Sequence, residues 1–305
     1  MTNRLAPIAV FAYKRPRHIA RLLRSLLENA ECAASDVFIF CDGARGAPDR
    51  EEVESTRAAV RAVAPRHATI IERDTNAGLA SSIIAGVSRL TEEHGRAIVL
   101  EDDLVLSPYA LRYFNDALDR YSDVETVMHV SAYMFPVERA LPETFFYREA
   151  TCWGWATWRR AWAKFEPDGR KILEYVRRHS MEYEFDVRSS MGFLGMLQGQ
   201  IEGRNNSWAI RWYGSMRMAN GLALHPGQSL ASNLGFDGTG EHCTETSLFE
   251  VKLADRPVVQ FAKTVEESAE ALSAMIAYRQ KHWGTSPVSL LRRGARLLRR
   301  LTRVA

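Results

Sequence analysis

The fold of this chain is decided by the stretch Ala97-Ile98-Val99-Leu100-Glu101-Asp102-Asp103-Leu104-Val105-Leu106. An apolar run ends at three consecutive carboxylates, and a second apolar run follows at once. Strands buried on both faces read as apolar runs, so the pattern predicts a parallel strand that delivers acid groups to the carboxyl edge of a sheet. Such oxygens suit Mg²⁺ or Mn²⁺, metals that commonly bridge a diphosphate. A solvated acidic turn, before a helix that Ser107 caps and Pro108 begins, is the alternative interpretation.

The chain before this stretch alternates between strand and helix signals. Strands are predicted over residues 8–12, 37–41, 69–72 and 97–100, and helices over 17–29, 51–64 and 79–93. A βαβαβαβ order predicts an α/β fold, with a mostly parallel central sheet flanked by helices and right-handed crossovers. Ligands bind such sheets at the carboxyl ends of the strands.

Polar residues follow all four predicted strands. They are Tyr13-Lys14-Arg15, Asp42-Gly43, Asn76-Ala77-Gly78 and Glu101-Asp102-Asp103, in chain order. Parallel strands present these ends at one edge, so the four groups should converge. No strand is followed by G-x-G-x-x-G, and the P-loop pattern is absent, which disfavours both of those phosphate sites. A diphosphate would then be held by a metal and by Arg15 or Lys14.

The second half of the sequence is rich in aromatic residues. Six of the seven tryptophans lie between Trp153 and Trp212, a density that predicts either a platform for sugar rings or a packed core. A helix is expected over 206–220 and a short strand over 222–224. A glycine-punctuated loop over 233–243 ends near His242 and could fold over a bound nucleotide.

Composition restricts the class of protein. The chain has 305 residues, 46% of them hydrophobic, with a net charge of +3 and four cysteines that form no C-x-x-C pair. These values predict a globular protein in a reducing cytoplasm, without a zinc site or a disulfide framework. Six arginines fall within residues 288–305, so the rest of the chain is slightly acidic, which argues against nucleic acid as a partner. Residues 288–305 read either as a basic amphipathic helix for an anionic membrane surface or as a solvated tail.

Several of these motifs together resemble the GT-A fold glycosyltransferases of the family-2-like type. The resemblance extends to the Golgi N-acetylglucosaminyltransferases that begin complex N-glycans and to their bacterial relatives, and it covers roughly residues 7 to 245. It rests on Ala9-Val10-Phe11-Ala12-Tyr13-Lys14-Arg15-Pro16, Cys41-Asp42-Gly43, Asn76-Ala77-Gly78-Leu79, Val99-Leu100-Glu101-Asp102-Asp103 and Gly154-Trp155.

The resemblance implies roles for individual residues. Arg15 would contact the donor diphosphate, Asp42 the uracil ring and Asp102 the ribose. Asp103 would be the one carboxylate that binds Mn²⁺ or Mg²⁺ directly, with His242 near the metal and the phosphates. The expected substrate-binding residues are Ala12, Arg15, Asp42, Asn76, Gly78, Glu101, Asp102, Trp155, Trp208 and Arg211.

The implied reaction is an inverting sugar transfer, in which a carboxylate deprotonates the acceptor hydroxyl. The Golgi enzymes carry this base as an aspartate directly after a tryptophan, whereas Ala209 follows Trp208 here. Glu202 is therefore the first candidate base, with Asp186 and Asp237 as the other candidates. An exposed loop position is the alternative for Glu202.

The expected protein is a metal-dependent glycosyltransferase that uses a UDP-sugar and acts on a cell-surface glycan precursor, such as a lipid-linked glycan. Residues 1–125 would form the nucleotide-sugar half, 126–250 the acceptor half and 251–305 a helical extension. We expect a cytoplasmic location with peripheral contact at the inner face of the cell membrane. A sugar-phosphate nucleotidyltransferase and a non-catalytic carbohydrate-binding module are the alternatives; the first would carry a glycine-rich loop after strand one.

Overall fold

A computed structural model describes residues 4–237 and 246–283, where a large sheet lies between two layers of helices. The strands of this part of the chain are β1 (Ile8–Ala12), β2 (Val37–Cys41), β3 (Thr69–Glu72), β4 (Arg96–Glu101), β5 (Leu104–Leu106), β6 (Val127–Ser131), β7 (Thr144–Tyr147), β8 (Trp155–Trp158), β9 (Leu222–Pro226) and β10 (Ala231–Asn233). Its helices are α1 (Pro16–Leu27), α2 (Arg50–Val63), α3 (Leu79–His94), α4 (Ala110–Arg120), α5 (Arg159–Trp162), α6 (Gly169–Arg178), α7 (Glu182–Phe185), α8 (Phe193–Ile201), α9 (Trp208–Met218) and α10 (Ala269–Trp283).

The first four strands form the parallel half of the sheet in the order β3-β2-β1-β4. α1, α2 and α3 make the crossovers, and their bounds lie within two residues of the predicted ones. Every residue of β1 is buried, as expected for a strand covered on both faces. The predicted α/β fold class is therefore confirmed.

The second half of the chain extends the same sheet. β8 pairs antiparallel with β4, and β6, β9 and β7 continue outward from it, giving the order β3-β2-β1-β4-β8-β6-β9-β7. The pairing of β6 with β9 is parallel, whereas that of β7 with β9 is antiparallel. The sheet is thus mixed and continuous across residue 125. The proposed boundaries at residues 125 and 250 stay predictions.

Alternation along β4 divides the core between the two faces of the sheet. Ile98 and Leu100 pack into the cluster that includes residues of α1 and α4, whereas Ala97 and Val99 pack into the cluster that includes residues of α3 and α9. Because side chains of a strand alternate between faces, Glu101 continues the row of Val99 and Asp102 the row of Leu100.

The C-terminal helix α10 packs against the outer strand β7. Ala271, Leu272, Met275 and Tyr278 are buried there with residues such as Phe145. The amphipathic tail predicted over 288–305 lies outside the described residues. No helix in the described ranges is both long and apolar enough to cross a membrane.

Candidate active site

The acidic turn, residues Glu101–Asp103, lies where the sequence predicted it, at the carboxyl edge of the sheet. β4 ends at Glu101, and the chain reverses into the short strand β5, which pairs antiparallel with β10. The turn is therefore held between the main sheet and a two-stranded one. All three carboxyl-bearing side chains are only partly exposed.

Arg15 is the cation that faces the acidic turn. Its Nη1 lies 3.0 Å from Asp103 Oδ2 and 3.9 Å from Asp102 Oδ1. The second oxygen of Asp102 accepts a hydrogen bond of 3.2 Å from the backbone N–H of Tyr13. Residues that follow the first and the fourth predicted strands are thus brought into direct contact.

Burial makes the ionised turn unfavourable. It raises the pKa of Glu101 well above its ordinary value, and the charges of Asp103 and Asp102 add to the effect. Burial and then Asp103 raise the pKa of Asp102 to about 7, although Arg15 and the Tyr13 N–H oppose the shift. Burial also raises the pKa of Asp103 against the opposing charge of Arg15. One guanidinium does not balance three carboxyl groups, so the turn favours additional positive charge.

The donor chemistry of the turn fits a divalent cation. Carboxylate oxygens are hard ligands, and Mg²⁺ or Mn²⁺ is often held by one or two carboxylates together with substrate phosphates. Within residues 4–237 and 246–283, no three acidic, histidine or cysteine side chains converge as a complete metal site. Asp103 would accordingly hold the metal with oxygens from a bound substrate, and Arg15 occupies its Oδ2 in this state.

Asp42 fastens two strand-end loops together. Its Oδ1 accepts hydrogen bonds from the N–H groups of Gly43, at 3.0 Å, and Ala77, at 2.9 Å, while its Oδ2 accepts one of 2.9 Å from Gly78 N–H. Asn76 Nδ2 donates to the Gly43 carbonyl oxygen at 2.8 Å. Gly78 has φ of +77°, a conformation that favours glycine, and directly precedes α3. Asp42 therefore fixes the two loops relative to each other; its predicted contact with uracil stays a prediction.

The sheet register explains why these loops meet. Ala12 is the last residue of β1 and pairs with Cys41 of β2. The N–H of Asp42 donates to the Ala12 carbonyl oxygen at 3.0 Å, so the β1 and β2 ends stay joined beyond the strands. Ala12 is 4% exposed, and the structure gives it a backbone role here.

His18 is a site residue that the sequence analysis missed. It lies in the first turn of α1, three residues after Arg15, and its Nε2 is 3.0 Å from Asp237 Oδ2. Its positive form would also favour ionised Asp103. The spacing from Arg15 places it one helical turn further on, a signal that sequence could have supplied. Asp237 itself comes from a distant segment.

The tryptophans of the second half form an interior cluster. Trp155 is fully buried and stacks on Trp208 and His129, with ring centroids 5.3 Å and 5.2 Å apart. Trp208 is 4% exposed. Arg211 is also buried, and its guanidinium donates to Ser207 O and Asn206 Oδ1. This corrects the expectation that Trp155 and Trp208 stack on a sugar, because neither ring has an exposed face. The two rings can influence substrate binding only through the residues that pack between them and the solvent.

The three candidate bases lie in different places. Glu202 ends α8, with a side chain 58% exposed and ion-paired to Arg204 at 2.5 Å. α8 packs against α6, α7 and α9, and no hydrogen bond or ion pair joins Glu202 to the acidic turn. Asp186 accepts a hydrogen bond from Leu194 N–H in the same helical region. Glu202 and Asp186 stay predictions for the base, whereas Asp237 is joined to His18 in the first turn of α1, the helix that Arg15 precedes. His242 lies outside the described residues.

Comparisons with known proteins show partial likeness to two solved structures. No protein family and no curated protein matches the chain. Mannosyltransferase PcManGT from Pyrobaculum calidifontis, in complex with GDP-Man and Mn²⁺, is 15% identical with a TM-score of 0.35, over 57% of this chain and 48% of that one. S. aureus TarS is 15% identical with a TM-score of 0.29, over 45% of this chain and 23% of that one. The chain thus spans about half the first structure and a quarter of the second, and likeness at these TM-scores does not identify a function.

Proposed function

We propose that the protein is a metal-dependent, inverting glycosyltransferase that moves a sugar from a UDP-sugar to a hydroxyl group of a cell-surface glycan precursor. The observation that carries this proposal is the contact of Arg15 with Asp103, at 3.0 Å, beside two further acids at the carboxyl edge of the sheet. A diphosphate with a divalent cation complements both charges of this pair. The phosphates would bind the Arg15 guanidinium, and the metal would bind the Asp103 carboxylate.

The first turn of α1 supports a diphosphate at this position. Arg15 precedes the helix, Pro16 begins it, and the side chain of Arg15, the N-cap residue, makes no capping hydrogen bond. Free N–H groups and the positive end of the helix dipole favour an anion. We assign the donor diphosphate to Arg15 and this turn, and the metal to Asp103. The metal would stabilise the charge of the departing UDP.

The remaining carboxylates suit hydroxyl groups. Asp102 lies beside Arg15, and in the described residues its side chain keeps one oxygen free of a strong hydrogen bond. Glu101 makes no hydrogen bond with its carboxylate in those residues, and it belongs to the opposite side of β4. We assign Asp102 to the ribose and Glu101 to the transferred sugar. The carboxylate oxygens of Asp102 and Glu101 can accept hydrogen bonds from hydroxyl groups of the donor, in place of water.

The proposed transfer makes one bond and breaks one. The acceptor oxygen attacks the anomeric carbon from the side opposite UDP, its proton passes to a base, and the bond from the anomeric carbon to the diphosphate oxygen breaks. Of the three predicted bases, Asp237 alone lies near the acidic turn, and His18 holds its Oδ2. Burial of the tryptophan cluster meanwhile weakens the alternative of a carbohydrate-binding module.

Turnover of donor sugars tests this function. The protein would be incubated with Mn²⁺ and, separately, UDP-glucose, UDP-galactose, UDP-N-acetylglucosamine and UDP-N-acetylgalactosamine, with and without a lipid-diphosphate glycan acceptor, and UDP release would be measured. We expect release from one donor, at a rate raised by the acceptor and lost on chelation. UDP release that does not depend on Mn²⁺, or no UDP release from any of the four UDP-sugars, would contradict the proposal. Residues 288–305 stay the proposed membrane contact.

A further inference from the structure

Residues 233–237, which are the last residue of β10 and the four residues that follow it, cover the acidic turn. β10 pairs with β5 through Asn233 and Leu104, so the chain leaves β10 beside Asp103. The N–H of Leu234 then donates to the backbone oxygen of Asp103 at 2.7 Å. The N–H of Gly235 donates to Asn233 Oδ1 at 2.7 Å, which closes a tight turn. We call residues 233–237 the covering turn.

The covering turn approaches the side chain of Asp103 as closely as packing allows. A Cβ atom placed on Gly235 would lie 2.5 Å from Asp103 Oδ2, which is nearer than real contacts come. Any side chain at position 235 would therefore force the Asp103 carboxylate, which we assign to the metal, to shift. A small displacement of the turn would change the space around that oxygen.

Helix α1 holds both sides of this arrangement. Arg15, next to its first residue, contacts Asp103, and His18 in its first turn contacts Asp237 at the far end of the covering turn. The His18 side chain is only 12% exposed, whereas that of Asp237 is 45% exposed. The more buried partner belongs to the rigid helix, and the more exposed one belongs to the covering turn.

We propose that His18 is a positioning residue whose contact with Asp237 fastens the covering turn over the acidic turn, so that Asp103 and Arg15 are held ready for the metal and diphosphate of the donor. The proposal rests on the proposed function for the identity of that ligand. It assigns His18 a role through Asp237, and no bond to the donor. It also gives Asp237 a structural contact, and the kcat measurement below decides whether Asp237 is the base of the proposed transfer.

Amide hydrogen exchange of the ligand-free protein tests the fastening itself. His18→Asn and His18→Ala would be compared with the matched control Arg17→Ala, an exposed neighbour on α1 that forms no ion pair within the described residues. We expect exchange at the N–H groups of Leu234 and Gly235 to rise at least about tenfold in both His18 variants, with the interior of α1 and the control unchanged. Unchanged exchange at these two amides would overturn the proposal.

A double-mutant cycle in donor binding tests the consequence. His18→Asn, Asp237→Asn and the double variant would be titrated with UDP in the presence of Mn²⁺. If the pair acts as one unit, each single change should weaken binding about tenfold and the double change no further. If the two changes weaken UDP binding independently and additively, His18 and Asp237 do not act as one unit. A fall in kcat for Asp237→Asn, with donor affinity and amide exchange unchanged, would make Asp237 the base instead.

The two tests separate this proposal from the proposed function. If the wild-type protein binds no nucleotide while His18→Asn still loosens Leu234 and Gly235, the donor assignment fails and the fastening stands. If wild-type binding is strong and His18→Asn leaves both binding and exchange unchanged, the positioning role fails and the donor site stands. Melting curves of both His18 variants check that α1 remains folded.

Discussion

At the scale of single residues, the site is defined by unbalanced charge. Arg15 contacts Asp103 directly and Asp102 at longer range, while Glu101 forms no ion pair with any residue that the structure describes. Burial raises all three pKa values, and repulsion from neighbouring carboxylates adds to the shift for Glu101 and Asp102, which is costly for the folded protein. Groups held at such a cost are typical of sites whose function requires them.

Asp103→Asn should separate stability from binding. The amide keeps the shape of the side chain but removes a repelling charge and the proposed metal ligand. We expect the free energy of unfolding of the ligand-free protein to stay equal or rise, while Mn²⁺-dependent affinity for UDP falls at least about tenfold, or about 1.4 kcal/mol. Urea denaturation and calorimetric titration measure the two. Asp116→Asn, at an exposed α4 position paired with Arg112, is the matched control and should change neither.

Asp42→Ala should destabilise the protein, because the carboxylate accepts hydrogen bonds from Gly43, Ala77 and Gly78 N–H groups. Leaving buried donors without partners costs about 1–3 kcal/mol each, less where water can replace the oxygen. We expect a loss of about 2 kcal/mol or more in denaturant unfolding. A variant that keeps wild-type stability but discriminates UDP from inorganic diphosphate less well would favour direct reading of the base instead.

At the scale of elements, sequence predicted the parallel half well and the antiparallel half poorly. β2 and β3 match their predicted bounds because apolar runs with clear breaks mark buried strands. Helix α4 was expected at Pro108 but begins at Ala110; Ser107 Oγ donates to the distant Ala254 carbonyl oxygen and accepts from the Tyr109 N–H. β6, β7 and β8 were not predicted, and each pairs with a strand far along the chain. Contacts of that range, including His18 with Asp237, leave no local pattern.

Helix α10 is joined to the sheet by a buried ion pair. Arg279 Nη2 lies 2.8 Å and 2.6 Å from the two oxygens of Glu149, and its Nη1 is 3.1 Å from Tyr147 Oη. Burial by itself would lower the pKa of Arg279, but Glu149 and Tyr147 hold it above its ordinary value. The pair ties the C-terminal extension to the strand that precedes the aromatic segment.

Arg279→Met should therefore cost about 3–5 kcal/mol, because it leaves the buried Glu149 carboxylate without its cation, with the Tyr147 hydroxyl still donating to Oε2. Replacing both residues, in Arg279→Met with Glu149→Met, should recover at least half of that loss. Thermal and denaturant unfolding of the two single variants and the double variant give the values. Equal destabilisation of single and double variants would show that packing, and not the pair, holds α10.

At the scale of the whole molecule, one sheet joins a polar edge to an aromatic interior. The same strand β4 carries the acidic turn and pairs with β8, whose Trp155 is at the centre of the tryptophan cluster. Sequence could locate the aromatic residues but not decide between surface and core, since burial depends on the arrangement of β6, β8 and α9. Those elements come together only through tertiary contacts.

Acid should weaken this interior through His129. Trp212 Nε1–H donates to its Nδ1, and its Nε2 lies 3.1 Å from Thr151 O, so a neutral ring suits both contacts. Burial, and then His225, lower its pKa to about 3. Below pH 6.5, His129 of the unfolded chain binds a proton, whereas the buried ring of the folded protein stays neutral down to about pH 3. The free energy of unfolding therefore falls as the pH falls.

The loss of unfolding free energy due to His129 should reach about 2 kcal/mol at pH 5. His129→Asn keeps a hydrogen-bond acceptor but does not titrate, so its stability should fall less than that of the wild type between pH 7 and pH 5. Comparing variant with wild type removes the contribution of Asp102, whose raised pKa has the opposite sign. Parallel stability curves for the two proteins would contradict the assignment.

Arg15 and the acidic turn form the proposed site for a metal and a nucleoside diphosphate. Calorimetric titration of the wild-type protein with UDP, in parallel with GDP, CDP and ADP and each with and without Mn²⁺, tests it most directly. We predict that UDP binds selectively and only when Mn²⁺ is present. Failure to bind any nucleotide, or binding that is equally strong without the metal, would contradict the account.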